Sequence, residues 1–147
     1  MSEAPANTPA LEFALEVHVT IGAALRLGDT SAGKRRTIPI TGGTFKGPRL
    51  EGEVVPGGAD WQIVRGDGCT TLEAIYTLRA ADGTLIRVRN LGLVAPDGEG
   101  SAYVRTAPTF DAPQGPHDWL NRNLFVSTLN VANPERTAVV LRMYRVT

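Results

Sequence analysis

Acids, bases and rings recur on stretches of this chain that otherwise read as core. Asp60 precedes Trp61 in "GADWQ", and Gln62 shares its parity. Glu73 lies between Leu72 and Ala74, with Tyr76 on the opposite parity; Arg87 and Arg89 share one face, with Asn90 on the other. Arg105 comes after Tyr103, and Asn121 after Trp119. A charge costs several kcal/mol to bury alone, so any of these that point inward must meet one another, a ligand or water. One account is structural, with Asp60 or Glu73 paired to an arginine across a sheet. The other is chemical. A carboxylate in a mouth lined by Trp61, Tyr76 and Trp119 is partly desolvated, which raises its pKa toward that of a useful general base. Arg89 or Arg105 could hold a carboxylate or stabilise an enolate, and Tyr76 or Asn121 could hydrogen-bond a carbonyl oxygen. That set suits proton transfer beside a carbonyl: isomerisation, hydration or dehydration, or ring closure, with no cofactor. The expected catalytic residues are Asp60, Tyr76 and Arg89. Trp61, Glu73, Arg105, Trp119 and Asn121 are the expected substrate contacts.

Other chemistries find less support. Gly42-Gly43 and Gly57-Gly58 invite comparison with a phosphate cradle. Such a loop runs from a strand into a helix, whose N-terminal N–H groups face the anion. Here the glycines fall between strand-like segments and no Walker lysine-serine pair follows, so bulges or corners of a curved sheet explain them better. His18 and His117 are the only histidines, widely separated, and Cys69 the only cysteine; this is a poor ligand supply for a metal. There is no G-x-S-x-G elbow, and Cys69 reads as a plain small residue. Lys+Arg and Asp+Glu each total 15, giving a formal net charge of zero, and the basic residues are dispersed. Nucleic-acid binding needs clustered cations, so no such partner is expected. Neither a signal peptide nor a bilayer-spanning apolar run is visible, so a cytoplasmic protein without a membrane partner is the expectation.

The elements that must position these residues are strands. "LEFALEVHVTI" alternates strictly, with Leu11, Phe13, Leu15, Val17, Val19 and Ile21 on one side. Similar segments follow at about Arg35–Thr41, Arg49–Val55, Asp60–Arg65, Thr70–Ala80, Thr84–Val94, Ala102–Phe110, Leu120–Leu129 and Thr137–Val146. Gly, Pro, Asp and Asn clusters separate them, and Asp82-Gly83 supplies the turn of the clearest hairpin. Only Asp118–Asn121 reads as a turn of helix. The 147 residues fit a single domain, 11–147, after a disordered tail, 1–10. Polar residues on both strand faces favour a closed antiparallel β-barrel of about 8–10 strands with a partly polar lumen over a dry sandwich.

The stretches "RTIPITGGTFKGPRLEGEVVPGGADWQIVRGDG", "LEAIYTLRAADGTLIRVRNLG", "YVRTAPTF", "WLNRNLFV" and "VLRMYRV" carry a specific resemblance. They resemble an uncharacterised family of small bacterial and fungal proteins, domain of unknown function three-two-three-seven, over nearly all of Leu11 to Thr147. The resemblance implies a calycin-like barrel and leaves the activity open. Three functional classes follow. The first is an isomerase or lyase acting on an apolar or aromatic metabolite that bears a carbonyl or carboxylate. The second is a carrier or sensing barrel binding the same kind of small molecule unchanged. The third is a homo-oligomer formed through an exposed strand or through "VLRMYRV".

Overall fold

The computed structural model describes residues 5–147. Nine strands and one short 3₁₀ helix follow in order: β1 (Leu11–Ile21), β2 (Leu25–Thr30), β3 (Gly33–Lys46), β4 (Glu51–Val64), β5 (Thr70–Ala80), β6 (Leu85–Pro96), β7 (Ala102–Asp111), the helix Asp118–Arg122, β8 (Phe125–Val131) and β9 (Ala138–Val146). Each strand pairs antiparallel with its sequence neighbour from β2 to β9, β9 pairs with β1, and β1 pairs with β3. The circuit therefore closes on 8 strands, with β2 attached outside it to the upper part of β3. Closure removes the free edges that an open sheet would expose.

Long strands can bend this sharply because the ladder slips at defined points. Two of the expected segments, Arg49–Val55 and Asp60–Arg65, are one strand, β4, interrupted by a register shift between Val55 and Ala59. β3 shifts between Pro39 and Thr44 against β4, across Gly42-Gly43. These glycine pairs are corners of the sheet, as the absence of a following helix implied. Gly43 has φ +138, and a Cβ there would run into the His18 carbonyl of β1. Only glycine lets β1 and β3 approach and seal the barrel. A third slip, between Phe13 and Leu15, corrects the alternation of β1. Leu11 and Phe13 were expected on one side with Leu15, Val17 and Val19, but they are 59% and 41% exposed while those three are core.

Inward-facing side chains stack in layers from one end of the barrel to the other. At the closed end, Leu15, Phe45, Leu78, Ile86, Phe110, Phe125 and Met143 form a tight apolar plug. Leu120, from the 3₁₀ helix, is 1% exposed and caps that end. The turn at Asp82-Gly83 has Gly83 at φ +88 and Thr84 N donating to Asp82 Oδ1 at 3.0 Å. Ala10, expected within a mobile tail, exchanges hydrogen bonds with Thr147 and so extends the β1–β9 ladder. Residues 1–4 of that tail lie outside the described residues.

Candidate active site

The opposite end of the barrel is hollow. A cavity of about 900 Å³ lies there, walled by Ile21, Ile38, Leu72, Val94, Val104, Leu129, Val131 and Val139. Against this aliphatic wall stand a few polar groups: Arg36 from β3, Asp60 and Gln62 from β4, and Thr70 from β5. Glu135 and Arg136 sit at the mouth, on the exposed loop between β8 and β9. A mostly apolar cavity holding a few convergent polar groups is the usual form of a small-molecule site.

The polar groups are joined in a line. Arg36 Nε donates to Gln62 Oε1 at 2.6 Å, and Gln62 Nε2 donates to Asp60 Oδ2 at 2.7 Å. Alternation along β3 and β4 creates this line, because Arg36 is the cross-strand partner of Gln62, and Ile38 that of Asp60. Asp60 Oδ1 is covered and has no hydrogen-bond partner. Burial pushes the Asp60 carboxyl above its ordinary value, while the Gln62 hydrogen bond, the Arg36 charge and the Glu73 backbone oppose that rise. The carboxyl therefore keeps its proton to a higher pH than a solvated aspartate.

Further inward polar groups lie on the next strands round the barrel. Tyr76 (β5), Asn90 (β6) and Thr106 (β7) all face inward and are nearly or fully buried. Tyr76 Oη, Asn90 Oδ1 and Thr106 Oγ1 lack hydrogen-bond partners. Burial first, and the Asp60 charge second, raise the Tyr76 hydroxyl above its ordinary value. Tyr76 is therefore a neutral hydroxyl next to Asp60. Buried polar atoms without partners are uncommon, and four of the five among the described residues belong to Asp60, Tyr76, Asn90 and Thr106.

The remaining expected site residues lie elsewhere. Arg89 and Glu73 face outward, where Arg89 Nη2 meets Glu73 Oε2 at 3.0 Å on the barrel's outer wall. The expectation that Arg89 serves beside Asp60, and Glu73 beside the substrate, is corrected by strand parity: both lie on the face opposite Ala74 and Asn90. Trp61 is 45% exposed on the same outer face, and Arg105 reaches only the Val104 carbonyl and the Tyr103 ring, also outside. Trp119 and Asn121 belong to the closed end. Arg49 lies 4.0 Å above the Trp119 ring, and Asn121 exchanges hydrogen bonds with the Ala112 backbone, both at 2.8 Å. Of the expected set, the structure brings Asp60 and Tyr76 together and parts them from the other six.

Asn90, Thr106 and Arg36 were missed, although a legible cue existed. Asn90 shares parity with Ile86 and Val88, and Thr106 with Pro108 and Phe110, all of them buried. A polar residue on a parity otherwise apolar is the mark of an inward polar group. The histidines serve other ends. His117 Nε2 lies 2.8 Å from Asp82 Oδ2 at the closed end, and His18 is near Glu16 on the outer wall. Backbone and side-chain contacts with Thr84 first, and His117 next, hold Asp82 down at about 2. Among the described residues no three of His, Cys, Asp or Glu gather in a metal-binding cluster, and no helix is long and apolar enough to cross a membrane.

Fold and site together define a class: a closed antiparallel barrel, plugged at one end, with an acid-bearing apolar cavity at the other. The chain belongs to the family described as "Protein of unknown function (DUF3237)", which matches residues 9–146. A UPF0311 protein of Clostridium acetobutylicum is 34% identical over 149 residues, covering 92% of each chain. A crystal structure of a "beta-barrel like protein" from Acinetobacter baumannii superposes with a TM-score of 0.86 at 30% identity, over 100% of both chains. A Penicillium herquei protein named "Hydroalkoxylation enzyme phnH" is 29% identical over 113 residues, 77% of this chain and 69% of that protein.

Proposed function

We propose that this barrel is a cofactor-independent enzyme of the lyase, cyclase or isomerase kind, with Asp60 as its acid–base group. The observation that carries the reading is a lone carboxyl, Asp60, in the wall of a mostly aliphatic cavity, with its Oδ2 held by Gln62. Gln62 orients the group, and burial keeps its proton on to a higher pH than in a solvated aspartate, which suits it to proton transfer. The fungal relative's name supports a particular form of this chemistry, the addition of an O–H across a C=C bond. In its neutral form Asp60 gives its proton to one alkene carbon. A hydroxyl oxygen of the same substrate bonds to the other carbon, and the hydroxyl proton returns to the carboxylate. Atoms and charge balance without oxidant or reductant. Double-bond migration or hydration would use the same cycle. The aliphatic wall suits an apolar substrate and keeps water from a developing cation.

The test uses alkenols and 2-alkenylphenols in heavy water, with product analysed by mass spectrometry. The wild-type protein is expected to form cyclic ether carrying one deuterium on carbon. Asp60→Asn should lower turnover by about 10²-fold or more while leaving binding intact. Equal conversion by the variant would refute the assignment. Tight binding of every candidate without conversion by the wild type would favour the carrier or sensing barrel instead.

A further inference from the structure

Arg36 is the cavity's one cation that comes from a barrel strand, and among the described residues no carboxylate touches it. Its side chain is half-buried, and Nε alone is engaged, donating to Gln62. Arg65, Arg79, Arg89, Arg122, Arg142 and Arg145 each pair with a carboxylate, but Arg36 has no such partner among the described residues. Across Gln62 stands Asp60, close enough to feel the Arg36 charge but not in contact with it. The other charged or titratable groups around Arg36 are Glu135 and Arg136, exposed at the mouth, and Tyr76, neutral and deeper. When Asp60 carries its proton, the one other carboxylate lining the cavity is Glu135, which is exposed at the mouth beside Arg136 and makes no ion pair with Arg36 among the described residues. A half-buried guanidinium with no carboxylate in contact is a site for an anion, and its planar fork suits an oxygen anion best.

We infer that Arg36 binds a singly charged oxygen anion on an otherwise apolar substrate, and that binding this anion loads the proton onto Asp60. The inference rests on the reading of the cavity as the substrate site. Its second half follows from electrostatics. Two anions beside one guanidinium disfavour each other, so an incoming anion drives Asp60 toward its neutral form. Linkage makes the effect reciprocal: protonated Asp60 tightens the anion by the same factor. The substrate thereby arms the acid that it needs, and a neutral analogue would not.

Benzenesulfonate is the probe, because it stays ionised across the working range, and methyl phenyl sulfone is its neutral counterpart. Calorimetric titration would compare the wild-type protein with Arg36→Gln, Arg36→Lys, Asp60→Asn and Glu135→Gln at one pH below and one pH above the Asp60 midpoint found by NMR titration of its carboxyl. Benzenesulfonate should weaken about 10-fold or more in Arg36→Gln, with partial recovery in Arg36→Lys and no change for the sulfone. In the wild type and in Glu135→Gln, the sulfonate should bind more tightly at the acid pH. In Asp60→Asn that pH dependence should vanish. Sulfone binding with no sulfonate preference, or a pH trend that persists in Asp60→Asn, would overturn the Arg36 assignment and leave the cavity reading standing. Failure of both probes to bind the wild type would overturn the cavity reading as well.

Discussion

Buried oxygens without partners make Thr106 and Tyr76 informative residues. An unmet hydroxyl in the interior carries its full desolvation cost, and an apolar isostere removes that cost. Thr106→Val is therefore expected to raise stability by about 1 kcal/mol, read as a higher urea midpoint at unchanged m-value. A lower midpoint would mean that Thr106 Oγ1 has a partner in solution. Asp60 follows the same logic through pH. Its pKa is raised in the fold, so the native state binds the proton more tightly than the unfolded chain. Its contribution to stability is complete below the unfolded value and is lost as pH rises through the folded one. The protein thus holds a charge-prone group where it costs stability, which is common where residues serve activity. At this scale the sequence was half legible. Asp60 and Tyr76 could be picked out as polar groups on apolar strands, but Arg89, Glu73, Trp61 and Arg105 could not be sorted from them. Choosing the inward parity required setting each polar residue against its own strand, where Leu72, Ala74, Tyr76 and Leu78 mark the buried face of β5 and put Glu73 on the other.

Register slips belong to the elements. β1, β3 and β4 all change register, at Phe13/Leu15, Pro39/Thr44 and Val55/Ala59; the first two changes reverse which residues face the lumen, while the third keeps Val54, Asp60 and Gln62 on one face. The glycines that allow them differ in kind. Gly43 has φ +138 and its would-be Cβ meets the β1 backbone, whereas Gly57 has φ +117 with nothing within 4 Å. Gly57→Ala is expected to cost about 1–2 kcal/mol of backbone strain, measured by denaturant titration. Gly43→Ala adds a clash with the closing strand, so it should cost clearly more or abolish folding. Equal costs would show that β1 and β3 do not seal the barrel at this point. Alternation, turn residues and the Asp82-Gly83 hairpin made the strands themselves legible. β2 was not, because Leu25–Thr30 is exposed throughout, and its register slips between Arg26 and Gly28.

For the whole molecule, the division of labour runs along the barrel axis. An apolar plug, the 3₁₀ cap and the His117–Asp82 pair occupy one end, and the cavity with its Arg36–Gln62–Asp60 line occupies the other. Stability is concentrated away from the site, which leaves the open end free to carry unpaired polar atoms. Balanced charge, 15 against 15, means that long-range steering does little and that selection falls to the cavity itself. The most direct test of this account is a carbon-detected NMR titration of the Asp60 carboxyl in the ligand-free protein, with Asp60→Asn to assign the resonance. The account predicts a midpoint above the ordinary aspartate value of about 3.9, rising further in Gln62→Leu, which removes the hydrogen bond that favours the charged form. A midpoint at or below that ordinary value would contradict it, for Asp60 would then be a solvated or fully paired carboxylate with no proton to give.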